Sequence, residues 1–114
     1  MKLSSVKSLP EEPNVHNPKI TKQVFIRKGE VPYLTNLTRA KFPAGEVANA
    51  HTHQDMYEIF FIEEGNATVK INGKPIKLGP GDCITVEPGE SHEVSNLSSD
   101  DVVMTYLGIE VPHE

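Results

Sequence analysis

Two histidines, His51 and His53, stand two positions apart in a stretch with strand-forming character, Val47–His53. Alternate side chains on a strand share a face, so both imidazoles project from one side, roughly 6–7 Å apart at the backbone. That separation suits chelation of a single metal ion. Glu58 follows His53 at an odd interval and would face the opposite way on a continuous strand. A turn at Gln54-Asp55-Met56-Tyr57 is therefore expected, carrying Glu58 on a neighbouring strand back toward the pair. A third histidine, His92, lies in a second turn-to-strand segment, Pro88–Val94. Taken singly, a strand histidine or a carboxylate is ordinarily a solvated or hydrogen-bonded residue. Only their coincidence points to a metal.

The chain around these residues is short, with 114 residues, 11 basic and 16 acidic, and a formal net charge of -5. That length is one domain's worth and supports an ordinary core. The acidic balance, with no Lys/Arg cluster, argues against nucleic acid or an anionic membrane as partner. No apolar run is long enough to span a bilayer. The start, Met1-Lys2-Leu3-Ser4-Ser5, lacks the apolar stretch of a secretion signal, so a cytoplasmic protein is expected. The single cysteine, Cys83, excludes a disulfide framework and reads as a small core residue.

Residues 1–19, with Pro10, Pro13 and Pro18, read as an extended or loosely held N-terminal arm preceding a β-barrel domain over residues 20–114. Strands are expected at Ile20–Arg27, Leu34–Phe42, Val47–His53, Glu58–Glu63, Ala67–Ile71, Pro75–Leu78, Cys83–Val86, Ser91–Asn96 and Val102–Ile109. Asn72-Gly73 is a strong two-residue hairpin turn. Gly65, Gly81 and Gly89 mark sharp turns, and Asp82 is expected to cap its own turn. Short strands punctuated by Gly, Pro and Asn indicate an all-β sandwich or barrel.

In its fixed residues the chain resembles the cupin family. Five residues separate Gly45 from His51, four separate His53 from Glu58 and six separate Glu58 from Gly65, as in the first cupin motif. Gly81, Gly89, His92 and Asn96 fall at the spacings of the second, with Glu87 standing where that motif has proline and Pro88 directly after it. The resemblance implies an antiparallel double-stranded β-helix, a jelly-roll-like barrel. It also implies one divalent transition-metal ion held by His51, His53, Glu58 and His92, with positions open to water or substrate. Three imidazoles and a carboxylate suit iron, manganese, nickel, copper or zinc, and do not suit calcium.

Strand alternation assigns the pocket lining to Phe42, Asn49, Phe60, Ile62 and Val94. Tyr106 joins them if the last strand turns Met104/Tyr106 inward rather than Val103/Thr105/Leu107. No lysine or arginine is expected on that inner face, which disfavours a phosphosugar. The function expected is a metal-dependent, dioxygenase-like enzyme acting on a small organic substrate. A non-redox metal-dependent isomerase or lyase is the alternative, with Tyr57 or Tyr106 as its only visible base, alongside a non-catalytic small-molecule-binding or sensing cupin. A homodimer is also expected, with outward Ile59 and Phe61 as its interface, which a monomer in light scattering at micromolar concentration would refute.

Overall fold

The computed structural model describes residues 1–112, and His113 lies outside them. Among the described residues there are ten strands and no helix: β1 (Glu12–Pro13), β2 (Thr21–Arg27), β3 (Leu34–Phe42), β4 (Val47–Thr52), β5 (Met56–Glu64), β6 (Ala67–Ile71), β7 (Lys74–Leu78), β8 (Cys83–Val86), β9 (Ser91–Ser95) and β10 (Val102–Glu110). They form a six-stranded sheet, β1-β2-β3-β10-β5-β8, and a four-stranded sheet, β4-β9-β6-β7. Every recorded pairing is antiparallel. This is the jelly-roll barrel expected from the sequence. No helix among the described residues is long and apolar enough to cross a membrane.

Alternation within each strand sorts side chains between core and solvent. In β3, Thr38, Ala40 and Phe42 are buried, while Arg39 and Lys41 reach outward to Glu63 and Asp101 at 3.1 and 3.4 Å. Across the larger sheet, Thr38 pairs with Tyr106, Tyr106 with Phe60, and Phe60 with Ile84, so these four share one inward row. Ala40, Met104 and Ile62 form the next row. Against them pack Val69 and Val94 from the smaller sheet. The open choice on the last strand is thereby settled, with Met104 and Tyr106 turned to the interior.

The turns follow their local chemistry. Asn72 and Gly73 have φ of 50° and 81°, the left-handed pair of a type I′ hairpin joining β6 to β7. Asp82 accepts the Gly79 N–H at 2.8 Å, capping its turn as expected. The arm is held rather than loose. Glu12–Pro13 pairs with β2, and the Gln23 amide donates to the carbonyls of Val6 and Leu9 at 2.8 and 3.0 Å.

Cys83 corrects the sequence reading: it is exposed. It opens β8 opposite Phe61, whose side of β5 faces away from the core, so strand pairing carries the thiol outward with it.

Candidate metal centre

β4 and β9 are neighbours in the smaller sheet, and His51 pairs directly with His92. Glu58 arrives differently from the sequence expectation. The chain bends at Gln54-Asp55 and enters β5 at Met56, so the turn is shorter than predicted. β5 belongs to the larger sheet, and Glu58 therefore reaches the histidines from the opposing layer rather than from a neighbouring strand.

Backbone hydrogen bonds between the motifs fix this meeting. The Gly89 N–H donates to the His53 carbonyl at 2.7 Å, tying the loop before β9 to the end of β4. At the other end, Gly45 N–H donates to Asn96 O at 2.8 Å and Asn96 N–H to Glu46 O at 2.9 Å. The fully buried Asn96 amide also donates to the carbonyls of Phe42 and Asp100. Gly45, Gly89 and Asn96 thus position the ligand-bearing strands and touch no reactive group.

The Nε2 atoms of His53, His92 and His51 lie 2.9, 3.0 and 3.8 Å from the same Glu58 oxygen, Oε1. Ligand atoms from all four residues fall within 4.8 Å of one another. Donors bound to one ion at about 2.0–2.2 Å have separations of this order. Two of the rings are also oriented from behind: His51 Nδ1 lies 3.1 Å from the Asn49 carbonyl and His92 Nδ1 lies 3.2 Å from the Glu90 carbonyl. An Nδ1–H donated to a carbonyl leaves Nε2 as the lone-pair nitrogen, which is the form a metal needs. A nitrogen lone pair facing a carboxylate oxygen needs a cation between them, a proton in the metal-free protein, as in the His92–Glu58 hydrogen bond, or a metal ion in its place. The donor set therefore fits a divalent transition metal.

The charges agree. Burial works against ionisation of Glu58, yet its hydrogen bond with His92 and the charges of the three imidazoles hold the carboxyl below its usual range. Burial likewise disfavours a charged His92, but the Glu58 hydrogen bond and the Glu90 carbonyl outweigh it and raise the imidazole above its ordinary value. A proton and a metal thus compete for the same nitrogen, and for His92 that competition begins at a higher pH than for a free imidazole. Metal affinity is expected to fall on acidification from neutrality, by about tenfold per pH unit for each proton displaced. Titration with a metal-sensitive dye at pH 7.5 and 5.5 reads this. Equal affinity at both would contradict the assignment.

A cavity of about 170 Å³ adjoins the centre, and His51 and Glu58 line it. The structure places Phe42, Phe60, Val94 and Tyr106 in its wall, together with Met104. Burial, partly offset by the Thr38 hydroxyl and reinforced to a lesser extent by the Glu58 charge, raises the Tyr106 phenol above its usual range, so Tyr106 offers a neutral O–H. Tyr57 is 40% exposed and pairs with Ile109 away from the cavity.

Three expectations for the lining are corrected. Asn49 is exposed and does not line the cavity; Ala48 does. The pairing of β4 with β9 slips between Ala48 and His51, and this one-residue bulge puts Ala48 rather than Asn49 on the face of His51. Ile62 does face inward but is fully buried in the core and forms no part of the cavity wall. Finally, the inner face does contain a lysine. Lys22 lines the cavity from β2, as does His16 from the arm, a residue to which the motifs assign nothing. Alternation of Lys22 with Ile20 and Val24 was the available signal for the first. Nothing local marked the second.

A two-layer antiparallel barrel gathering three histidines and a carboxylate between its sheets defines a class, and this chain belongs to it: the cupin family, described as "Cupin domain", matches residues 38–109. That span contains all four candidate ligands. Among individual proteins, the chain is similar to an oxalate-binding protein of Thermotoga maritima, 33% identical over 64 residues that cover 56% of this chain and 53% of that one. The chain spans about half the length of the curated relatives it matches. In fold it is similar to a crystal structure described as a predicted oxalate decarboxylase from Thermotoga maritima, with TM-score 0.90 and 21% identity, covering 96% of this chain and all of that one. A sugar phosphate isomerase from Silicibacter pomeroyi shares the fold at TM-score 0.83 and 15% identity, covering 97% and 77% of the two chains.

Proposed function

We propose that this cupin holds one divalent transition-metal ion through His51, His53, Glu58 and His92 and uses it to bind a small organic acid by chelation. The observation that carries the reading is the aim of three Nε2 atoms at a single carboxylate oxygen beside a cavity. One carboxylate against a dication leaves the centre net positive, which favours an anionic ligand. The oxalate named for a relative supports the same chemistry. When bound, the ion would supply a Lewis acid with open positions for the acid's oxygens. Tyr106 contributes a neutral donor, and Phe42, Phe60 and Val94 keep bulk water away from the ligand.

Protein purified without chelator is expected to contain about one ion per chain by mass spectrometry. Calorimetric binding of oxalate should disappear after treatment with a strong chelator and return with metal. Oxalate binding by the metal-free protein would sink the reading.

The apolar wall favours a second reading, oxygen-dependent turnover of the dioxygenase type, since a dry site protects reactive species. Oxygen uptake by iron-loaded protein with enols, diketones, flavonoids or thiols tests it. No uptake, with zinc as the native ion, would overturn it. Ile59 and Phe61 are proposed as a homodimer face; Phe61 is 42% exposed on the outer side of β5.

A further inference from the structure

Lys22 is out of place by the logic of its strand. It lies opposite Ala40 in the β2–β3 pairing, and Ala40 in turn lies opposite Met104, so the lysine shares an inward-facing row with the apolar Ala40, Met104 and Ile62. Its pairing partner on the other side, Glu12, is engaged by Arg27. Among the described residues Lys22 makes no ion pair. A lysine on a cavity wall with no ion-pair partner of its own favours an anion beside it.

His16 reaches the same cavity by a built loop. Asn14 accepts the N–H groups of His16 and Asn17 on its side-chain oxygen at 3.0 and 3.2 Å, and its own N–H donates to Ile20 O at 2.8 Å. Asn17 donates to the Val47 carbonyl at 3.0 Å, fastening the loop to the start of β4. His16 is exposed and lines the cavity, and its imidazole offers an N–H donor in either neutral tautomer.

Distance separates this pair from the metal ligands. Two strands, β3 and β10, stand between β2 and β5. At about 4.8 Å per strand, Lys22 and Glu58 are roughly 14 Å or more apart at the backbone. A two-carbon acid chelated at the centre cannot extend to Lys22, whereas a longer acid lying along the cavity can. The geometry points to Lys22, assisted by His16, as a second recognition site within the cavity, which binds a carboxylate at the end of the ligand remote from the metal. The inference rests on the chelation reading above and makes it narrower: the ligand is an elongated diacid with one chelating end.

Zinc-loaded full-length protein, which cannot turn over by redox chemistry, separates the two ideas in one calorimetric series. The probes are oxalate, 2-oxoglutarate, and 2-oxopentanoate, which has the same carbon chain without the remote carboxylate. The wild type is expected to bind 2-oxoglutarate at least tenfold more tightly than 2-oxopentanoate. Lys22→Met should abolish that preference while changing oxalate affinity and zinc content less than twofold, so those two controls also report intact folding. Lys22→Arg should retain most of the preference, and His16→Ala should reduce it by a smaller factor, about threefold. A wild type without the preference, or a preference untouched by Lys22→Met, overturns the inference alone. Failure of the zinc-loaded wild type to bind any of the three overturns the chelation reading and the inference with it.

Discussion

Replacing His51 with alanine will lower metal affinity by at least about a hundredfold and leave the barrel folded. The His51 side chain is 48% exposed, and its Nδ1 contact is with the Asn49 carbonyl two residues away. Truncation there removes a ligand without opening the core. His92 provides the contrast. It is 1% exposed, packs 6.1 Å from the Phe60 ring centroid, and hydrogen-bonds to the buried Glu58. His92→Ala should therefore lose the metal as well and cost about 2–4 kcal/mol of stability in the metal-free protein, from the cavity and the weakened carboxylate. Metal content by mass spectrometry and thermal melts followed by circular dichroism distinguish the two. An unfolded His51→Ala, or one that keeps its ion, would be evidence against the assignment.

The second large effect lies away from the metal. Gly65→Ala is expected to destabilise the barrel by about 3 kcal/mol or more. Gly65 has φ of 80°, and a Cβ there would sit 2.3 Å from the Asp101 carbonyl oxygen and 3.1 Å from Val102 Cα. Those are backbone atoms at the start of β10, the strand that supplies Met104 and Tyr106 to the cavity wall, so relief requires moving β10 itself. Gly73 is the control: its φ is nearly the same, 81°, but no atom lies within 4 Å of the place its methyl group would take. Gly73→Ala should cost only about 1–2 kcal/mol, the conformational part alone. Equal losses in the two variants, measured by denaturant unfolding, would show that the close approach at Gly65 is unimportant.

Much of this molecule is readable before folding because its turns announce themselves. Asn72-Gly73 set the β6–β7 hairpin, and the expected Leu34–Phe42, Ala67–Ile71 and Cys83–Val86 are the observed strands. The four candidate ligands were legible because each motif's glycines and asparagine fix a spacing that two-residue alternation alone does not. Alternation failed where the chain breaks it. The bulge in β4 reverses the faces of Ala48 and Asn49, and no residue type there signals it. It also gives direction without depth: Ile62 shares an inward face with Phe60, yet only Phe60 borders the cavity. Lys22 was hidden for a different reason, since charge argues for solvent while its row in the sheet places it inside. His16 depends on how the arm folds back, which is a long-range matter beyond any periodicity.

Three of the four candidate ligands stand on or beside one sheet, and the fourth stands on the other. An ion bound among them would thus be a rivet between layers otherwise joined mainly by side-chain packing and a few hydrogen bonds such as Asn96 to Phe42 O. Loading and stripping such a rivet changes how freely the two sheets breathe against each other at that end of the barrel. Occupancy of the centre is then felt as stiffness in strands that never touch the metal.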